Sequence, residues 1–227
     1  MKHIVYIVLL LWSVNIFAQT EPNYGIQFYH GTWKEGIEKA KAENKLIFVD
    51  FYTQWCGPCL NMAESVFTLP FIGDFYNTKF VKMKIDAENG EGVELAKRYG
   101  VNSYPTYVFV DPASEEVVHR SKSRQSAEQF LATGKSALVP ELRSGYLTEE
   151  FAKGRDDREF LKNYINYNAS IYERENVQKA FDMLMKKGAK LTEPDVWKIF
   201  KANITGVNNP YFQEVVQGYD KFVSVLG

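Results

Sequence analysis

Cysteine and histidine are scarce in this chain, which has two cysteines and three histidines among its 227 residues. A zinc site needs four ligands, usually supplied as two compact pairs. His30 lies 26 residues before Cys56 and His119 lies 60 residues after Cys59, so the sequence offers no such set. We therefore expect no bound metal.

An excess of charge of one sign is also lacking. The chain has 27 lysines and arginines against 28 aspartates and glutamates, and its formal net charge is −1. No basic run occurs, so there is no electrostatic reason to expect a nucleic-acid partner. The hydrophobic content of 45% and the length are sufficient for one or two independently folding domains.

An apolar run long enough to cross a membrane is missing near the N-terminus. Residues 4–18 are mostly apolar but include Ser13 and Asn15, whereas a spanning helix needs about 20 apolar residues. The charged Lys2 before this run and the small Ala18 at its end are typical of a secretory signal peptide. We expect cleavage after Ala18 and export to the periplasm, with an uncleaved N-terminal anchor as the alternative.

The two cysteines that are present lie close together, in the sequence WCGPC at 55–59. Export would place them in an oxidising compartment, where disulfides persist. A disulfide between Cys56 and Cys59 closes a short loop and removes little conformational entropy from the unfolded chain. Covalent haem attachment requires a histidine directly after the second cysteine, and that residue is Leu60. These exclusions leave a redox-active dithiol as the interpretation.

The residues around this pair predict a strand followed by a helix. The continuous apolar run KLIFVDFY at 45–52 indicates a buried strand, and residues from about 56 to 66 indicate a helix. Cys56 then lies at a helix N-terminus, where the partial positive charge stabilises a thiolate. We expect Cys56 to be the nucleophile and Cys59, almost one turn later, to be the deeper resolving cysteine. Pro58 suits the first turn, where its missing N–H is not needed.

Further alternation of elements predicts an α/β fold. A strand at 80–86, a helix at 92–101, strands at 102–112 and 115–120, and a helix at 126–139 follow in order. This order indicates an α/β sandwich with a mixed sheet.

Beyond Pro140 the pattern becomes helical. Four or five amphipathic helices are predicted, including segments 157–172, 176–188, 192–206 with Thr192 as its cap, and 209–226 with Asn209 as its cap. We predict a domain boundary between 19–139 and 140–227, with an all-α helical domain after it.

Three motifs in combination identify a family. VDFYTQWCGPC, KMKIDAE and RYGVNSYPTYVFV occur in this order, and the region Tyr29–Val139 resembles the thioredoxin family. The flanking sequences resemble exported thioredoxin-like domains, including the soluble domains of periplasmic thiol–disulfide interchange proteins. The resemblance implies a thioredoxin-like sandwich with a mixed central sheet.

The resemblance also implies roles for individual residues. Asp50 matches a buried carboxylate beneath the dithiol, which would take the proton from Cys59; the alternative is a purely structural role, such as pairing with Lys82. Lys82 matches a lysine that would tune Asp50. Pro105 matches a cis-proline that turns the backbone at Tyr104 toward an extended substrate.

Two features concern the surface around the dithiol. Trp55 would cover one flank of the sulfurs and contact substrate, unless it serves packing alone. Tyr52 stands where many members of the family have tryptophan, and Leu60 stands where many have lysine.

The resemblance implies an exported thiol–disulfide oxidoreductase. The pair Gly57–Pro58 resembles reducing members, so we expect reduction of protein or peptide disulfides, no cofactor besides the dithiol, and a membrane thiol relay as electron donor. One alternative is a disulfide oxidase or isomerase on the same fold. Another is a non-catalytic binding or assembly protein that uses the helical domain.

Overall fold

The central strand of the sheet comes from the continuous apolar run in the first third of the chain. The computed structural model describes residues 24–226, so the predicted signal peptide at 1–18 lies outside the described residues. Strand β1 (Leu46–Tyr52) is buried along its length because neighbouring strands flank it and helices cover both faces. Within the described part of the chain, the other strands are β2 (Phe80–Asp86), β3 (Thr106–Val110) and β4 (Val117–Lys122).

The four strands form a mixed sheet in the order β2-β1-β3-β4. Strand β2 runs parallel to β1, whereas β3 is antiparallel to both β1 and β4. The surrounding helices are α1 (Trp33–Glu43), α2 (Gly57–Ser65), α3 (Pro70–Lys79), α4 (Gly92–Arg98) and α5 (Ala127–Leu138). The predicted α/β sandwich with a mixed sheet is confirmed.

Each face of the sheet has its own apolar cluster. Helices α1 and α4 cover one face through residues such as Trp33 and Leu95. Helices α2, α3 and α5 cover the other face, where Met62, Tyr76 and Phe130 surround aromatic residues of the strands. Because side chains alternate along a strand, Asp50 shares the α2 face with its second neighbour Phe48.

The C-terminal region is helical, as predicted, but it contains more helices than the four or five expected. After a 3₁₀ turn at Pro140–Leu142, the described residues form α6 (Ser144–Ala152), α7 (Arg158–Ser170), α8 (Arg174–Lys186), α9 (Pro194–Asn203), α10 (Pro210–Gln217) and α11 (Tyr219–Leu226). These helices enclose a separate apolar cluster that includes Leu161, Phe181 and Phe200. The exact boundary between Val139 and Pro140 stays a prediction.

Two predicted details of these helices are wrong. The segment 209–226 forms two helices because Gly218, a residue of low helix propensity, interrupts it. Helix α9 has Glu193 as its N-cap in place of Thr192, since Pro194 occupies the first helical turn and fixes the start.

The helical region packs against the edge strand β4. The backbone N–H of Ser144 donates to His119 Nδ1 at 2.9 Å, and the Ser144 hydroxyl accepts the N–H of Arg120 at 3.0 Å. The turn between α7 and α8 adds an ion pair between Glu173 and Lys122 at 2.7 Å.

None of the helices in residues 24–226 has the length and hydrophobicity that a membrane span requires.

Candidate active site

The two cysteines form a disulfide at the start of helix α2. Their sulfurs are 2.00 Å apart and their Cα atoms 5.3 Å apart. Cys56 is the N-cap of α2, and its Sγ accepts the backbone N–H of Cys59 at 3.1 Å. Gly57 and Pro58 form the first helical turn between them. The same N–H would stabilise a thiolate on Cys56 in the reduced protein.

The expected difference in exposure between the two cysteines is absent from the oxidised structure. Cys56 is 5% exposed and Cys59 is 4% exposed, so the expectation that Cys59 is the deeper of the two is corrected. The disulfide itself accounts for part of this burial, because each sulfur covers the other. The asymmetry between the two cysteines lies in the hydrogen bond and the helix N-terminus.

Asp50 lies on the same face of the sheet as α2 and is 1% exposed. Neither of its carboxylate oxygens has a hydrogen-bond partner among the described residues. Removal from water raises the pKa of Asp50 to about 7, and the charge of Lys84 partly opposes this rise. The carboxyl group can therefore gain or lose a proton near neutral pH.

The lysine opposite Asp50 is Lys84, which corrects the expectation for Lys82. In the parallel register of β1 and β2, Asp50 pairs with Lys84, whereas Lys82 pairs with Phe48. Burial lowers the pKa of Lys82, and the nearby charge of Lys45 lowers it further. Lys82 thus lies two residues before Lys84 on β2, where the charge of Lys45 and not that of Asp50 acts on it.

Two other buried polar groups, one of them beside Asp50, were missed by the sequence analysis. Tyr107 is the residue that pairs with Asp50 in the antiparallel register of β1 and β3, and Thr53 follows β1. Both hydroxyl groups are buried without a hydrogen-bond partner among the described residues. Burial, followed by the charge of Asp50, raises the pKa of Tyr107 well above its ordinary value. The sequence signal that could have identified Tyr107 is a tyrosine inside the apolar run TYVFV.

Trp55, the residue before Cys56, lies on the surface and contacts the half-buried Tyr104. Trp55 is 70% exposed, and its indole N–H donates to Glu88 Oε2 at 2.9 Å. Its ring meets the Tyr104 ring edge-on, with centroids 6.0 Å apart. This arrangement leaves a large apolar surface open to a partner beside Cys56.

The Tyr104–Pro105 peptide bond is cis, the isomer that the resemblance implies. The carbonyl of Pro105 accepts the N–H of Ser123 at 2.8 Å, which joins the segment to the loop before α5. In the described residues, no backbone hydrogen bond engages Tyr104, which precedes β3. Its N–H and carbonyl are therefore available to an extended peptide.

Metal chemistry has no candidate site in the part of the chain that the structure describes. No group of three or more histidine, cysteine, aspartate or glutamate side chains in residues 24–226 could hold a metal ion. The disulfide and the buried carboxyl group are the chemically reactive groups at this site.

Comparison with known proteins gives matches to the N-terminal half of the chain. A thioredoxin-like domain model matches residues 33–138. Thioredoxin-1 of Drosophila yakuba is 48% identical over 69 residues, which cover 30% of this chain and 60% of that protein. Thioredoxin H4 of Arabidopsis thaliana is 35% identical over 107 residues, which cover 45% of this chain and 83% of that protein.

Among solved structures, a candidate disulphide-isomerase from Bacteroides thetaiotaomicron is 41% identical. The match covers 51% of this chain and 95% of that one, with a TM-score of 0.47. The chain spans 60% of the length of the first curated relatives that it matches.

Proposed function

This chain belongs to the thioredoxin family, and we propose that it is an exported thiol–disulfide oxidoreductase that reduces protein disulfides. The observation that carries this proposal is the Cys56–Cys59 disulfide at the N-terminus of α2, on the same side of the sheet as the buried carboxyl group of Asp50. Each element corresponds to one requirement of the reaction: a nucleophile, a resolving thiol and a proton acceptor.

The first step is attack by the reduced protein on a substrate disulfide. The Cys56 thiolate, stabilised by the Cys59 N–H and the helix N-terminus, forms a bond to one substrate sulfur. The bond between the two substrate sulfurs breaks, and the second substrate sulfur leaves as a thiolate. The protein and the substrate are then joined by a mixed disulfide.

The second step releases the substrate. The Cys59 thiol loses its proton and attacks Cys56 Sγ, while the first substrate sulfur leaves as a thiolate. Asp50 accepts the proton of Cys59, which its pKa of about 7 permits near neutral pH. Two electrons pass from the protein dithiol to the substrate disulfide, and the protein returns to the disulfide form seen in the structure.

Substrate binding requires little sequence specificity at the reacting bond. The free N–H and carbonyl of Tyr104, next to the cis bond to Pro105, can pair with an extended segment of the substrate. Trp55 offers an exposed apolar surface to the same segment. These contacts support protein and peptide disulfides as the substrate class.

The residues between the cysteines support reduction as the direction of electron flow. The Gly57–Pro58 pair resembles reducing members of the family, whose potentials lie near about −270 mV. The apolar N-terminal segment supports export to the periplasm, where the dithiol would need a continuous supply of electrons. A membrane thiol relay is the proposed donor. Oxidation or isomerisation of disulfides is the second candidate function of the same dithiol.

Insulin reduction in the presence of a dithiol donor tests the proposed function. We expect Cys56→Ser to abolish the rate and Cys59→Ser to accumulate a mixed disulfide with substrate, visible as a band that a reductant removes. Glu64→Gln, on the exposed face of α2, serves as the matched control and should keep the full rate. Equal rates for the protein and Cys56→Ser would refute the catalytic role.

A further inference from the structure

A cavity of about 400 Å³ lies beside the active-site helix. The outer face of α2, the loop between β4 and α5, and the turn between α7 and α8 form its walls. Most of its polar lining is uncharged and able to form hydrogen bonds, including Asn61, Ser65, Ser126 and Gln129. Tyr172, which is 55% exposed, supplies the wall from the helical region.

Three contacts tie this cavity to the substrate-binding segment. The Tyr172 hydroxyl donates to the carbonyl of Arg124 at 3.2 Å, and the neighbouring Glu173 pairs with Lys122 at 2.7 Å. Between these residues, the N–H of Ser123 donates to the carbonyl of Pro105 at 2.8 Å. The turn of the helical region is thus joined to a loop that is itself hydrogen-bonded to the residue beside Tyr104.

The cavity lies within reach of a substrate that is bound at the disulfide. Asn61 and Ser65 follow Cys56 by five and nine residues on α2, which places them about 8 and 14 Å along the helix axis from Cys56. An extended peptide advances about 3.3 Å per residue. A substrate residue about two to four positions from its reacting cysteine can therefore reach the cavity.

The charge of the residues that line the cavity indicates which kind of substrate side chain it can bind. Arg124 is the only charged residue among the nine described residues that line the cavity, and it is exposed. No ion pair in the described structure engages its guanidinium group. Glu173, the acidic residue in the turn between α7 and α8, is paired with Lys122. A carboxylate that enters the cavity meets a positive charge and several hydrogen-bonding groups.

We propose that this cavity binds an acidic side chain of the disulfide-bearing substrate, two to four residues from the reacting cysteine. Arg124 pairs with the carboxylate, and Tyr172 of the helical region closes the far wall. The helical region thereby acts as a specificity element for the thioredoxin-like domain. This inference rests on the proposed function of Cys56 and Cys59.

The test uses three peptides that differ at one position. Each carries a cysteine in disulfide linkage to thionitrobenzoate, with Asp, Asn or Lys three residues away, and release of the coloured thiol gives kcat and KM. At low ionic strength the full-length protein should prefer Asp to Asn by about two- to fivefold, mainly through KM, as an exposed ion pair allows. Arg124→Glu should reverse the order in favour of Lys.

Two controls separate this inference from the proposed function. Lys135→Glu, an equal charge reversal on the exposed surface of α5, should keep the preference for Asp. The symmetric disulfide of thionitrobenzoate carries no peptide, and its relative rates in Arg124→Glu and the parent protein calibrate any general effect of charge. Tyr172→Ala should weaken the preference for Asp by raising KM for the Asp peptide.

The outcomes are distinct. Equal KM values for the three peptides, or a preference that Arg124→Glu leaves unchanged, would overturn the acidic-side-chain proposal while disulfide reduction by Cys56 stands. Failure of the parent protein to reduce every disulfide tested would overturn the proposed function and this inference together.

Discussion

Replacing Asp50 by asparagine should raise the free energy of unfolding of the oxidised protein relative to the parent protein. This gain should be larger at alkaline pH than at acid pH. Asp50 is 1% exposed, and its carboxylate oxygens lack hydrogen-bond partners among the described residues. The ionised form is therefore poorly solvated in the folded chain but well solvated in the unfolded chain. Asparagine at this position carries no ionisable group, so this penalty disappears.

The magnitude follows from the pKa values of the two states. The pKa of Asp50 is about 7 in the folded protein against an ordinary value of 3.8, and this difference corresponds to roughly 4 kcal/mol. Because the folded-state pKa is the higher one, the folded state binds the proton more tightly. The stabilisation that the protonated Asp50 contributes is fully present below about pH 4 and is lost as the pH rises through about 7.

Urea unfolding of the oxidised protein and of Asp50→Asn, at several pH values between 4 and 9, measures this effect. The buried amide of asparagine adds a penalty that does not vary with pH. The informative quantity is therefore how the difference in unfolding free energy between the two proteins changes with pH. We expect Asp50→Asn to gain roughly 4 kcal/mol relative to the parent between pH 4 and pH 9. Asp74→Asn, at an exposed position on α3, is the matched control.

A difference in unfolding free energy that stays constant from pH 4 to pH 9 would refute this reasoning. It would mean that Asp50 ionises in the folded protein as readily as in the unfolded chain. The carboxyl group would then be a poor match for the proton of Cys59 near neutral pH, and its proposed role in releasing the substrate would fall with it.

Two further predictions concern other buried polar groups. Burial, followed by the charge of Arg143, lowers the pKa of His119 to about 3, so this imidazole contributes stability that is present above about pH 6.5 and is lost as the pH falls through about 3. In urea unfolding, the parent should therefore lose roughly 4 kcal/mol relative to His119→Gln between pH 7 and pH 3. Tyr107→Phe removes a buried hydroxyl without a hydrogen-bond partner among the described residues, so the unfolding free energy at pH 5 should rise by about 1 kcal/mol. A loss of similar size would show that the hydroxyl is satisfied.

The elements that a single local signal defines could be predicted from the sequence. The run at 45–52 is almost continuously apolar because β1 is covered on both faces, and α2 begins at the cysteine pair, where Pro58 suits the first turn. Helix α1 also had a readable start, the capping box of Thr32 and Glu35, but the sequence analysis did not use it. Helix α3 begins without a side-chain cap and was not predicted.

The parts of the site that depend on register could not be predicted in this way. Alternation along β2 gives both Lys82 and Lys84 the same face, and only the pairing with β1 places Lys84 opposite Asp50. The position of Tyr107 beside Asp50 likewise follows from the antiparallel register. Local sequence patterns fix which face a side chain occupies but not which residue lies across from it.

The reduction potential of the Cys56–Cys59 pair tests the central claim most directly. Equilibration of the full chain in graded dithiol buffers, followed by thiol trapping, gives the fraction of disulfide at each potential. A reductase of protein disulfides should have a potential near about −270 mV. A potential between about −120 and −180 mV would contradict the claim and assign the dithiol to disulfide donation or isomerisation.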